Sequence, residues 1–203
     1  MGYTEEALVL DLFSGTGNLG FESLSRGCKH VDFVEMNIKS LQIIKKNVEM
    51  LKLAPTEYSI HKQDVLQYLK RYKGPAYNLI LIDPPFTEMM AHDVMQALDA
   101  SLCFDENTLI AIESVKKERI DEAYTNLYRY DFNDYGDKVL SFFAKEEVSF
   151  SVAALKSFKA SFAPLLEKAI ASALPIPEPA PVITTTLFLK SFIGGIYVQQ
   201  LYS

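Results

Sequence analysis

The run Asp83-Pro84-Pro85-Phe86 joins a carboxylate, two backbone-locking rings and an aromatic face, directly after the apolar stretch Leu79-Ile80-Leu81-Ile82. Proline fixes φ and has no amide hydrogen to donate. The segment is therefore rigid and rich in acceptors: the carboxylate and the carbonyls. A flat amine attached to an aromatic ring suits it, because the amine offers hydrogens to the acceptors and the ring offers a π-face to Phe86. An ordinary strand-to-helix turn opened by a helix-starting proline would use the same prolines, so the run needs support from elsewhere in the chain.

That support lies upstream. Ala7-Leu8-Val9-Leu10 leads into Asp11-Leu12-Phe13-Ser14-Gly15-Thr16-Gly17-Asn18-Leu19-Gly20, where Gly15, Gly17 and Gly20 have the G-x-G-x-x-G spacing. Glycine permits backbone angles closed to other residues and lets a ligand approach closely. Strand, glycine turn and helix in that order form the context of a nucleotide site. Three acids fall at or just after strand ends, where open α/β sheets bind ligands. Asp11 closes the first strand. Glu35 closes the second, 20 positions after Gly15, where an acid can accept from both ribose hydroxyls. Asp64 follows the third, where a carboxylate or the next amide can meet an adenine edge; it also suits a helix N-cap. With Asp83 after the fourth, the set points to a cofactor site.

Alternating apolar runs and helix-like stretches would position these residues. Strands are expected at Ala7–Phe13, His30–Glu35, Tyr58–His61, Asn78–Ile82 and Thr108–Ser114. Helices are expected at Leu19–Arg26, Ile38–Leu51, Val65–Arg71, Thr87–Ala100 and Glu118–Tyr124. The second helix carries Leu41, Ile44, Val48 and Leu51 on one face. This alternation predicts an α/β fold with a mostly parallel sheet covered on both faces. Tyr128–Phe132 and Val139–Ala144, joined by Asn133-Asp134-Tyr135-Gly136-Asp137, predict a terminal antiparallel hairpin. A plain dinucleotide-binding sheet does not usually end so.

The chain has 203 residues, 49% hydrophobic, with a formal charge of −6. That is room for one full domain and an appendage, without the basic balance of a protein gripping nucleic acid through phosphates alone. Residues 1–147 form the expected main domain, with 24 acidic and 16 basic residues; residues 148–203 hold only two acids and four lysines. This tail reads as a helix from Val152 to Leu174 kinked at Pro164, a stiff Pro-rich linker and an apolar end, Val182–Tyr202. Lys190 and Gly194-Gly195 argue against a membrane span there, and the tail is expected to pack on the body or on a protein partner. Cys28 and Cys103 are far apart without metal spacing, and His30, His61 and His92 are scattered. Met1–Glu6 is polar and acidic, so no secretory leader is expected, and the default setting is reduced and cytoplasmic.

Residues 7–147 resemble the RsmD-type family, bacterial methyltransferases acting on guanine N2 of small-subunit ribosomal RNA. The resemblance is carried by Asp11 to Gly17, Leu19 to Gly27, Val34-Glu35, Asn47, Asp64 and Leu81 to Phe86. The Asp-Pro-Pro-aromatic run is shared more widely among amino-methyltransferases. The resemblance implies a Rossmann-like class I sheet of seven strands with S-adenosylmethionine across the first strands. On this footing Asp11, Phe13, Gly15, Gly17, Glu35 and Asp64 would bind cofactor, and Asp83, Pro84, Pro85 and Phe86 would hold the amine and stack on the base. Ribosomal RNA or the small ribosomal subunit would be the partner.

Family members carry several tens of residues before the first glycine motif, whereas here only Met1–Glu6 precede the first expected strand. A truncated product, or one dependent on another subunit, is the corresponding expectation, and a non-catalytic cofactor-binding remnant is one competing reading. The other is an NAD-dependent oxidoreductase, which the glycine spacing and Glu35 would suit but which leaves Asp83 to Phe86 unexplained.

Overall fold

A computed structural model describes residues 6–145 and the strands Thr186–Phe192 and Gly195–Leu201. Its elements in chain order are β1 (Leu8–Leu12), α1 (Asn18–Ser25), β2 (His30–Glu35), α2 (Ile38–Leu51), β3 (Tyr58–Lys62), α3 (Val65–Arg71), β4 (Leu79–Ile82), α4 (Ala91–Asp99), β5 (Leu109–Val115), β6 (Leu127–Tyr135), β7 (Lys138–Lys145), β8 (Thr186–Phe192) and β9 (Gly195–Leu201). Seven strands form one sheet in the order β3-β2-β1-β4-β5-β7-β6; β8 and β9 form a separate antiparallel pair. The first five strands are parallel, and β7 enters antiparallel between β5 and β6.

Alternation along each strand sends side chains to two cores. Val9, Val31, Phe33, Leu79 and Leu81 meet Phe21 of α1 and Ile44 and Val48 of α2 on one face. Leu10, Leu12, Val34, Ile80 and Ile82 meet Leu69 of α3 and Val94, Met95 and Leu98 of α4 on the other. A sheet covered on both faces favours continuous apolar strands, and all four residues of β4 are buried. Helix starts are set locally. Asn37 accepts from the Lys39 and Ser40 amides to open α2, and Asp64 accepts from the Gln67 amide to open α3.

Three expectations need correction. Glu118–Tyr124 is not a helix. Its backbone pairs outward instead: the Tyr124 amide donates to the Leu127 carbonyl, the Arg129 amide donates to the Glu122 carbonyl, and Ala123 bridges Tyr128. Pairing with β6 overrides the local helical pattern. The fourth helix begins at Ala91, not Thr87. Met89 is at φ 52°, the Glu88 amide turns back onto the Pro85 carbonyl, and the Ala91 amide is capped by Glu118 Oε1 at 2.7 Å. The hairpin turn is also tighter than expected. β6 runs on to Tyr135, and the chain reverses at Gly136-Asp137 with Gly136 at φ 77°. The expected tail helix, Val152–Leu174, lies outside the described residues. Among the described residues no helix is long and apolar enough to cross a membrane.

Candidate active site

Parallel register brings the sequence-singled residues to one edge of the sheet. Leu12 stands beside Val34 on β2 and Ile82 on β4, while Glu35 stands beside Lys62 on β3. The segments that follow, carrying Phe13 to Gly17, Met36-Asn37, Gln63-Asp64 and Asp83 to Phe86, therefore leave the sheet side by side. This is the carboxyl edge where open α/β sheets bind ligands.

The glycine turn is held from several sides. The Ser14 amide donates to the Val34 carbonyl and the Gly17 amide to the Ser14 carbonyl, at 3.2 and 2.7 Å. Buried Asn47 on α2 donates to the Thr16 carbonyl at 3.3 Å. Phe13, Gly15 and Gly17 all have positive φ, at 58°, 53° and 84°. For an aromatic residue that conformation is strained, and such strain gathers at ligand sites.

The three glycines do different work. A Cβ on Gly15 would meet only the Phe13 carbonyl oxygen, at 3.9 Å, so the turn faces open space there. A Cβ on Gly17 would lie 2.6 Å from the Phe21 ring. One on Gly20 would lie 2.2 Å from the Phe33 ring, so Gly20 serves close packing of α1 on β2.

The acids divide likewise. Glu35 draws the turn toward itself: Oε2 accepts from the Gly15 amide at 2.7 Å, and Oε1 accepts from the Met36 and Asn37 amides at 2.8 and 2.7 Å. A carboxylate offers about four acceptor positions, so Oε2 keeps one for a hydroxyl. Asp11 is 1% exposed and accepts from the Gly20 amide at 3.0 Å, fastening α1 to β1. Burial pushes its carboxyl up to about 8, against the pull of that amide; Asp83 and Glu35 add to the rise. Asp64 caps α3 through the Gln67 amide at 2.9 Å.

At the Asp-Pro-Pro-Phe shelf, Pro84 is buried, Pro85 exposed, and Asp83 and Phe86 half-buried. Burial pushes the Asp83 carboxyl up to about 7; nearby Glu113 adds to the rise and Lys138 opposes it. Lys138 stands 4.0 Å from the centre of the Phe86 ring and pairs with Glu113. Sequence reasoning missed both residues. The available signal was an acid interrupting the apolar run Leu109-Ile110-Ala111-Ile112-Glu113. Among the described residues no group of three His, Cys, Asp or Glu side chains could hold a metal ion.

The sheet order, with β7 antiparallel inside the β5 edge, defines the Rossmann-like class I methyltransferase fold. An all-parallel dinucleotide-binding sheet ends differently. A profile of the family described as "Conserved hypothetical protein 95" matches residues 1–144, and the chain belongs to that family, the RsmD type that its motifs resemble. It is 33% identical over 117 residues to "Ribosomal RNA small subunit methyltransferase D" of Haemophilus influenzae, covering 57% of this chain and 61% of that protein. "Ribosomal RNA large subunit methyltransferase I" of Tolumonas auensis is 30% identical over 120 residues, 58% of this chain but 30% of that protein. A solved Haemophilus influenzae structure described as a methylase superposes with a TM-score of 0.66 at 27% identity, covering 71% of this chain and 90% of that one.

Proposed function

We propose that this protein transfers a methyl group from S-adenosylmethionine to the exocyclic N2 amine of a guanine in small-subunit ribosomal RNA. The observation that carries the reading is the placement of the Asp83–Phe86 shelf beside the Gly15 turn on one sheet edge. Membership of the family supports methyl transfer. The fuller coverage of the small-subunit relative, 61% against 30% of the large-subunit one, supports the choice of RNA.

The open space at Gly15 and the spare acceptor of Glu35 Oε2 fit a ribose-bearing donor. Methyltransferases with this fold use S-adenosylmethionine, whose sulfonium supplies an already activated methyl group. In this assignment Gly15 gives the ligand backbone access, Gly17 shapes the same turn at φ 84° with its Cβ side filled by Phe21, Glu35 accepts from the ribose, Phe13 walls the turn, and Asp64 stands toward the adenine. Asp11 acts one step back, by holding α1 through Gly20.

The chain's own task is the nucleophile. A guanine amine has its lone pair delocalised into the ring. Asp83 and the Pro84 carbonyl accept the two amine hydrogens, which lets the nitrogen pyramidalise and aims its lone pair. Rigid placement and preorganised charge are the sources of acceleration. The Asp83 carboxylate also favours the positive charge that develops on nitrogen as the carbon–nitrogen bond forms and the methyl–sulfur bond breaks; the strongly acidic cation then gives up one amine proton to water. Phe86 stacks on a base withdrawn from its helix, and Pro84 with Pro85 keeps the acceptors from turning away.

The test is incubation of the full chain with labelled methyl donor and ribosomal RNA or subunits lacking the modification, followed by nucleoside mapping. Label recovered as N2-methylguanosine from small-subunit RNA is expected. Label confined to large-subunit RNA, or found on another base, overturns the assignment.

A further inference from the structure

The charged pair beside the shelf is not explained by packing. Glu113 on β5 is 6% exposed, and Lys138 opens β7. Glu113 stands opposite Leu140, and Val115 opposite Lys138, so the two charged residues are diagonal neighbours, a separation that long side chains span. A buried ion pair adds little net stability over apolar residues of similar volume, so the sheet alone gives no reason to keep one. Its surroundings do. The Lys138 ammonium covers one face of Phe86 at 4.0 Å from the ring centre, and both members of the pair act on Asp83 through their charge. Asp83 is thus faced by Asp11 from β1, Glu113 from β5 and Lys138 from β7.

Resting on the methyl-transfer reading, we infer that Lys138, anchored by Glu113, is a positioning residue of the active site that closes one face of Phe86, leaves the other for the base, and offsets the crowding of carboxylates around Asp83. The consequence is directional. Removing Lys138 takes away the one cation facing Asp83 among the described residues, so Asp83 holds its proton to higher pH. Removing the charge of Glu113 takes away a repelling neighbour and frees Lys138, so Asp83 loses its proton at lower pH. Charge proximity fixes these signs, and the acid limb of the methylation rate is the readout that a purely structural pair would leave unmoved.

The test uses the full chain and three variants: Lys138→Met, which keeps most of the stem and loses the cation; Glu113→Gln; and the double variant, which leaves neither charge buried alone. The Asp83 carboxyl carbon is followed by 13C NMR against pH, assigned by its absence in Asp83→Asn, with S-adenosylhomocysteine affinity as a check on folding. Relative to the wild type, the midpoint is expected to rise in Lys138→Met and fall in Glu113→Gln, each by on the order of one pH unit, with the double variant between. Unmoved midpoints, or movement in one common direction, overturn the inference. Should a single variant fail to fold, the double variant decides against the remaining one. The acid limb of the methylation rate, measured in parallel, should move with the midpoints. Opposite shifts in a chain that methylates no RNA would keep the charge coupling and remove the methyl-transfer reading instead.

Discussion

Replacing Gly15 and Gly20 by alanine, one at a time, separates ligand access from packing within a single turn-and-helix unit. At Gly15 the new methyl meets nothing closer than the Phe13 carbonyl oxygen at 3.9 Å, so the cost to the free protein is the left-handed backbone at φ 53°, about 1–2 kcal/mol. For a chain of this length that lowers Tm by a few degrees, at roughly 2–4 °C per kcal/mol. At Gly20 the backbone is helical and alanine gains about 1 kcal/mol of propensity. The methyl lies 2.2 Å from the Phe33 ring and 2.8 Å from Val31, however. That ring is fully buried and packs on Phe21 at a centroid distance of 4.9 Å, so it has nowhere to go. Overpacking of this kind costs about 1–3 kcal/mol, and the clash outweighs the propensity.

Affinity should respond in another order. If the open space at Gly15 is where the donor lies, the added methyl costs at least tenfold in binding, about 1.4 kcal/mol. Gly20→Ala, which touches only the core, should stay within a few fold. Isothermal calorimetry with S-adenosylhomocysteine, alongside urea denaturation, reads both quantities on the same samples. Wild-type affinity in Gly15→Ala would refute the cradle assignment, whatever its stability.

Other consequences follow from the same geometry. Asp83→Ala should abolish transfer while leaving S-adenosylhomocysteine affinity within a few fold; equal loss of both would place Asp83 with the cofactor and not with the amine. The methylation rate of the wild type should fall on the acid side with a midpoint near pH 7, where Asp83 titrates, and Asp83→Asn should lack that limb in its residual activity. Asp11 makes a stability prediction. Its folded-state pKa is raised from 3.8 to about 8, so its contribution is fully present below the unfolded value and is lost as pH rises through about 8. Urea midpoints should therefore decline from about pH 4 to about pH 8 and level off above that. Asp11→Asn, which keeps an acceptor for the Gly20 amide, should flatten most of that decline and leave the part due to Asp83; an unchanged slope would remove Asp11 from the account.

The local signals that survived into the structure are those with a strict physical period. The α2 bounds, Ile38 and Leu51, are legible because its apolar face repeats at helical spacing and Asn37 caps it. The bounds of β2 and α3 were legible for similar reasons, as was the glycine turn. Glu118–Tyr124 was not, because its fate depends on pairing with Leu127 to Arg129, residues that only the fold brings alongside. The site divides in the same way. Asp83 to Phe86 and Glu35 could be found because they punctuate apolar runs at strand ends. Asp11 could be found but its partner could not, since the bond to the Gly20 amide depends on how α1 returns over β1. Glu113 and Lys138 stood on different strands of an edge whose register the composition does not reveal.

The central claim is that donor and amine meet at one edge of the sheet, between the Gly15 turn and the Asp83 shelf. A crystal structure of the full chain with S-adenosylhomocysteine tests it most directly. The account predicts a ribose hydroxyl on Glu35, the backbone of Gly15 against the ligand, and the sulfur turned toward Asp83 and Phe86. A ligand seated elsewhere, or a sulfur facing away from Asp83, would contradict it.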